Sequence, residues 1–230
     1  MSMRTLKVIV LACAISLGAL PTQGALITDL HSTGVSKSEH IVLFNGTTDP
    51  NYVVVSSPRG AGNAYAINPQ PFQFPSGWVP SDPPGSTGGS AWISGPRSPL
   101  DGFASNGTYQ YRTLFTIASG FDPETAVIFG KVASADRVRI MLNDVQVFLG
   151  DGAASFDSFG VFDYFKSGTN TLDFFVQHVS VSGIGPQGLR VEMRGTAYVP
   201  EPASLWSIFV GMSVVIGFAR HRARSSGLRK

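Results

Sequence analysis

Apolar and polar positions alternate in short runs through the middle of this chain, and none of these runs carries a helical period. Over residues 109–117 the alternation puts Tyr109, Tyr111, Thr113, Phe115 and Ile117 on one face. Residues 137–142 turn Val138, Ile140 and Leu142 inward. Asn143-Asp144 follows, two residues that tolerate positive φ, and predicts a tight hairpin returning through residues 145–149. In 171–178, Leu172, Phe174 and Val176 share a face. The clearest alternation is 188–195, with Leu189, Val191 and Met193 inside and Arg190, Glu192 and Arg194 outside. Strands of this length, joined by turn-rich loops, predict an all-β antiparallel sandwich of two packed sheets.

From Pro58 to Pro99 the composition shifts to Pro, Gly, Ser and Asn, which predicts an irregular loop region on the β scaffold. Trp78 and Trp92 lie in it and are candidate platforms for sugar rings, since an indole offers a large flat surface with a polar handle. The competing place for each is the core, and the apolar neighbours in Ala91-Trp92-Ile93 favour it for Trp92.

Both ends of the chain differ from this middle. Arg4 and Lys7 precede an apolar run from Val8 to Leu20 and a small-residue stretch to Ala25, the three regions of a secretory signal peptide over residues 1–24. Cys13, the only cysteine, falls inside it, so the exported domain of residues 25–198 is expected to rely on an ordinary core. At the other end, Val199-Pro200-Glu201-Pro202 leads into an uncharged apolar segment, 203–219, long enough to cross a bilayer once. The basic tail 220–230, with Arg220, Arg222 and Arg224, places that end in the cytoplasm and the domain outside. Two prolines keep the triplet extended and accessible.

Removing the seven basic residues of the terminal segments from 17 leaves ten, against 14 acidic residues once Glu201 is set aside from 15. The domain therefore carries about −4, which argues against nucleic acid as a partner. No nucleophile elbow, zinc-protease motif or phosphate loop is present. The carboxylate pairs Asp122 with Glu124 and Asp157 with Asp163 are of the kind glycoside chemistry uses, but 14 carboxylates make such pairs inevitable. His31, His40 and His178 are widely spaced in sequence, and His178 reads as a hydrogen-bonded residue at the core edge. No cofactor is expected beyond a structural calcium, for which Asp49 and Asp151 are the candidate ligands.

The arrangement of Pro200, Glu201 and Pro202, apolar span and Arg cluster resembles the PEP-CTERM sorting signal of Gram-negative bacteria, a family also labelled ice-binding protein C-terminal domain. The resemblance covers residues 199–230 and implies cleavage by an exosortase, an integral-membrane enzyme, after delivery by the general secretion machinery. The chain would then pass from a transient membrane anchor to the cell surface or exopolysaccharide matrix.

The stretch from 107 to 197 is similar to the galactose-binding-like jelly roll. The similarity is carried by Tyr109-x-Tyr111-Arg112-Thr113-x-Phe115, Leu142-Asn143-Asp144-Val145, Gly168-Thr169-Asn170-x-Leu172 and Gly188-Leu189-Arg190-Val191-Glu192. It implies core and turn positions and carries no ligand site to this chain; extracellular polysaccharide, contacted through the loops, is the partner weighed for the domain. The expectation is a non-enzymatic matrix protein; the alternatives are an extracellular polysaccharide-acting enzyme and a purely structural surface protein.

Overall fold

A computed structural model of the chain describes residues 24–67, 77–95 and 103–199. These residues form strands and loops, with no helix among them and hence none long and apolar enough to cross a membrane. The expected leader up to residue 23, the triplet Pro200-Glu201-Pro202, the span 203–219 and the tail arginines Arg220, Arg222 and Arg224 lie outside the described residues.

In chain order the strands are β1 (Gly24–Leu26), β2 (Thr48–Ser56), β3 (Gly62–Ile67), β4 (Trp92–Ser94), β5 (Phe103–Ser105), β6 (Gly107–Ile117), β7 (Asp122–Ser134), β8 (Arg137–Leu142), β9 (Val145–Asp151), β10 (Asp157–Val161), β11 (Gly168–His178), β12 (Ile184–Pro186) and β13 (Leu189–Tyr198). All pairings are antiparallel. One hydrogen-bonded path runs β10-β7-β13-β4-β3-β2-β6-β11-β8-β9, with β1 on β13, while β12 and β5 make a separate ribbon. The path folds over, so that a front layer (β2, β6, β11, β8, β9) faces a back layer (β4, β13, β7, β10) across a shared core.

The core faces are the alternating ones. Tyr109, Tyr111, Phe115 and Ile117 of β6, Val138, Ile140 and Leu142 of β8, and Leu172, Phe174 and Val176 of β11 are buried together. They meet Ile128 and Val132 of β7, Phe159 and Val161 of β10, and Leu189 and Val191 of β13. A fully buried side chain of this size contributes about 1.5–3 kcal/mol by leaving water, and that fixes the register, because a one-residue slip would turn a whole face outward. The β8–β9 hairpin turns on Asn143 and Asp144 at φ 49° and 68°, both in the left-handed region that a two-residue primed turn requires. Val147 is an extra residue in β9, between the pairs Ile140–Phe148 and Met141–Gln146.

Two expectations are corrected. Region 58–99 is not wholly irregular: β3 and β4 come from it and join the two layers. Arg190 is not an outward, solvated residue, since it is buried under the 77–91 loop that covers the outer face of the back layer. That loop rests on a second apolar cluster of Ile67, Trp92, Ala133 and Ala153, with Trp78, Val79 and Phe156 packed on it.

Candidate functional site

The segment between β1 and β2 bridges the layers: Ile27 and Thr33 donate to the Gly195 and Val191 carbonyls of β13, and one buried carboxylate of β2 fastens it to the front layer. Asp49 of β2 accepts hydrogen bonds from the backbone N–H of Gly34 (2.6 Å), Asn51 (2.7 Å) and Tyr52 (3.2 Å). Burial pushes its carboxyl up to about 7, against those three donors, which pull the other way. Gly34 is required at its place: φ is 66°, and a Cβ there would come within 2.6 Å of Ala91. The Tyr52 hydroxyl donates to the His31 carbonyl (2.9 Å), and Asn51 Nδ2 donates to the Val35 carbonyl (2.8 Å). These bonds fix His31 and Asn51 side by side at the rim of the front layer.

A groove of about 430 Å3 opens there, between this segment and the outer face of β2, β6 and β11. Its apolar floor includes Val53 and Leu114, half exposed, and its polar lining includes Asp29, Lys37, Thr116 and Thr169. Arg112 closes one side, its Nε and Nη2 each 2.8 Å from an oxygen of Asp173, a bidentate pair that holds the guanidinium flat against the sheet. His31 and Asn51 also line the groove, and each has a buried polar atom, Nδ1 and Oδ1 respectively, without a hydrogen-bond partner among the described residues. The His31 ring stacks on His40 at 4.9 Å, and burial lowers its pKa, with His40 and Lys37 adding to the effect and Asp29 opposing it. The imidazole is therefore neutral near pH 7, with one nitrogen free to take a hydrogen bond.

The residues singled out in the sequence fall elsewhere. Trp92 is wholly buried; its indole N–H donates to the Val79 carbonyl (2.7 Å), so it offers no face to a ligand and the platform expectation is corrected. Trp78 is half-buried, and its ring stands 4.3 Å from that of Trp92 as part of the same cluster. Val199 follows β13 and is exposed. Asp122 caps its own turn by accepting from the Glu124 N–H, and Asp157 accepts from the Asp151 N–H. Asp49, offered for calcium, is buried and accepts from three backbone N–H donors, which is a structural role in fastening the segment before β2. Among the described residues no three His, Cys, Asp or Glu side chains converge as a metal site would need. His178 is buried at the core edge with Nδ1 3.0 Å from Asp136, as its place on β11 predicts. His31 and His40, far from remarkable in sequence, are the two histidines that come together.

No protein-family model matches the chain, and no curated protein matches it. Among solved structures it is similar to a family 35 carbohydrate binding module from an environmental isolate, at TM-score 0.30 and 15% identity over 60% of this chain and 96% of that one. It is also similar to the CBM36-1 domain of a multidomain xylanase from the hindgut metagenome of Trinervitermes trinervoides, at TM-score 0.27 and 9% identity over 76% of this chain and 94% of that one. An alfa-L-rhamnosidase from Aspergillus terreus matches at TM-score 0.17 and 14% identity, over 79% of this chain and 28% of that one. Likenesses at these scores carry neither a ligand nor a site to this chain.

Proposed function

We propose that this chain is an exported surface or exopolysaccharide-matrix protein, released by an exosortase, whose sandwich holds a glycan in the His31–Asn51 groove without transforming it. The observation that carries the binding role is the groove itself, in which the exposed apolar side chains of Val53 and Leu114 lie beside the polar residues His31, Lys37, Asn51 and Thr116. Sugar hydroxyls both donate and accept, so a ring whose apolar face rests on Val53 and Leu114 meets polar side chains around it. Asp29 is the one carboxylate in the lining, and this supports binding over hydrolysis, which uses two. The export role rests on the terminal patterns of the sequence.

Calorimetric titration of the full chain in mild detergent with neutral and acidic oligosaccharides tests the binding role. At least one oligosaccharide is expected to bind, with affinity falling about tenfold in Asn51→Ala. Equal affinity in the variant, or release of new reducing ends by the wild type, would overturn the reading. The mass of the protein recovered from the cell surface tests the export role, which requires loss of both terminal segments.

A further inference from the structure

A second groove, of about 390 Å3, lies on the same outer face of the front layer, at the other end of its strands. Thr108, Arg137, Arg139, Leu149 and Phe175 line it, all from β6, β8, β9 and β11. Register places Arg139 beside Phe175 and Arg137 beside Gln177, and the Arg139 guanidinium lies 4.8 Å from the Phe175 ring centroid. Both arginines are exposed, and among the described residues neither has a carboxylate within ion-pair distance. Asp173, the acidic residue on this face nearest the strand centres, is consumed by Arg112, and Asp151 stands opposite Arg137 at the strand end. Two open guanidinium forks therefore sit on one face of a domain whose net charge is negative.

We infer that this groove is the acidic-sugar subsite of the same face: a polysaccharide seated in the His31–Asn51 groove continues along β6, and Arg137 and Arg139 hold the carboxylate of a uronate residue. The inference rests on the glycan reading above. Three features support it. The outward positions Thr108, Gln110, Arg112, Leu114 and Thr116 of β6 form an unbroken row joining the two grooves, about 27 Å long at roughly 3.4 Å per residue. The two arginines are two positions apart on one strand and so project side by side, about 7 Å apart. A planar fork pairs bidentately with a carboxylate, and Phe175 beneath Arg139 pre-orients that fork, which lowers the cost of fixing it.

The test uses the full chain in mild detergent, titrated with an oligogalacturonate and with the uncharged oligogalactose of the same length. The acidic oligomer is expected to bind at least tenfold more tightly, and the preference to vanish in Arg137→Gln/Arg139→Gln while affinity for the neutral oligomer holds. Arg139→Lys, which keeps the charge and loses the fork, is expected to retain only part of the preference. Equal affinity of the wild type for both oligomers would sink the inference and leave the glycan reading standing. So would a preference that survives in the double variant, or equal binding of single-stranded DNA of matched charge. Absence of binding by either oligomer would sink both.

Discussion

Arg190 Nη2 lies 2.7 Å from the Asp82 carboxylate, an ion pair that ties β13 to a loop 108 positions earlier in the chain. The same guanidinium donates to Ser90 Oγ (2.7 Å), to Glu192 (3.2 Å) and to the Pro80 carbonyl, and it lies 5.0 Å from the Phe156 ring centroid. With its side chain 3% exposed, Arg190 is the fastening that keeps the 77–91 loop over Trp92. Replacing it by Met preserves the apolar stem and removes every donor. Urea unfolding of Arg190→Met is expected to show a loss of about 2–4 kcal/mol, and chymotrypsin to cut at Trp78 under conditions where the wild type resists. An unchanged midpoint with unchanged protection at Trp78 would show that the loop is held by its apolar contacts alone.

Asp49 makes stability depend on pH with a sign opposite to that of a surface ion pair. Its folded pKa of about 7 stands above the ordinary 3.8, so between these values the folded state holds a proton that the unfolded state has released. Stability from this group is present at low pH and declines as pH rises from about 4 to 7, by on the order of 4 kcal/mol. His31, whose folded pKa is lowered by burial, contributes the reverse slope below pH 6.5, so the informative quantity is wild type minus Asp49→Asn. That difference is expected to shrink steadily as pH rises through this window. A constant difference would mean that Asp49 stays ionised when folded.

Asp144 occupies a left-handed position that glycine takes at less cost. Asp144→Gly is expected to raise the thermal midpoint by an amount equal to about 0.5–1 kcal/mol, with binding in the grooves unchanged. A lower midpoint would show that the carboxylate, near enough to raise the Arg112 pKa, contributes more than the turn loses.

For sorting, replacing Pro200-Glu201-Pro202 with alanines is expected to leave the chain membrane-bound with its tail intact, seen as an undiminished mass in the membrane fraction. Deleting residues 203–230 is expected to send the chain straight into the periplasm. Release of the alanine variant as efficient as that of wild type would remove the triplet from the processing signal.

The architecture was readable where one face of a strand is buried and the other is wet. The inward sets of β6, β8 and β11 and the Asn143-Asp144 hairpin all follow from alternation and turn chemistry. Alternation failed where a loop covers the second face. On β13 the polar set 190, 192, 194 looked solvated, yet Arg190 is buried because its partners arrive from residues 80–90. β2 carries no alternation at its start: Asp49, Pro50 and Asn51 are residue types that favour turns, and they sit at an irregularity between Thr48 and Val53. The groove has no signature in the sequence for a related reason. His31, Asn51, Arg112 and Thr169 come from four separate segments and follow no spacing rule; only the long-range pairing of β2, β6 and β11 assembles them.

Gly24 pairs with Tyr198, so the described part of the chain enters and leaves the sandwich at one corner. A crevice lined by Ala25, Thr116, Ile117 and Ala197 puts that corner at the Ile117 end of β6. The row of outward β6 positions thus starts beside this corner and runs away from it. On the proposed export route a chain tethered at this corner would hold the arginine groove as the part of this face farthest from the membrane, hung like a hook with its open end outward.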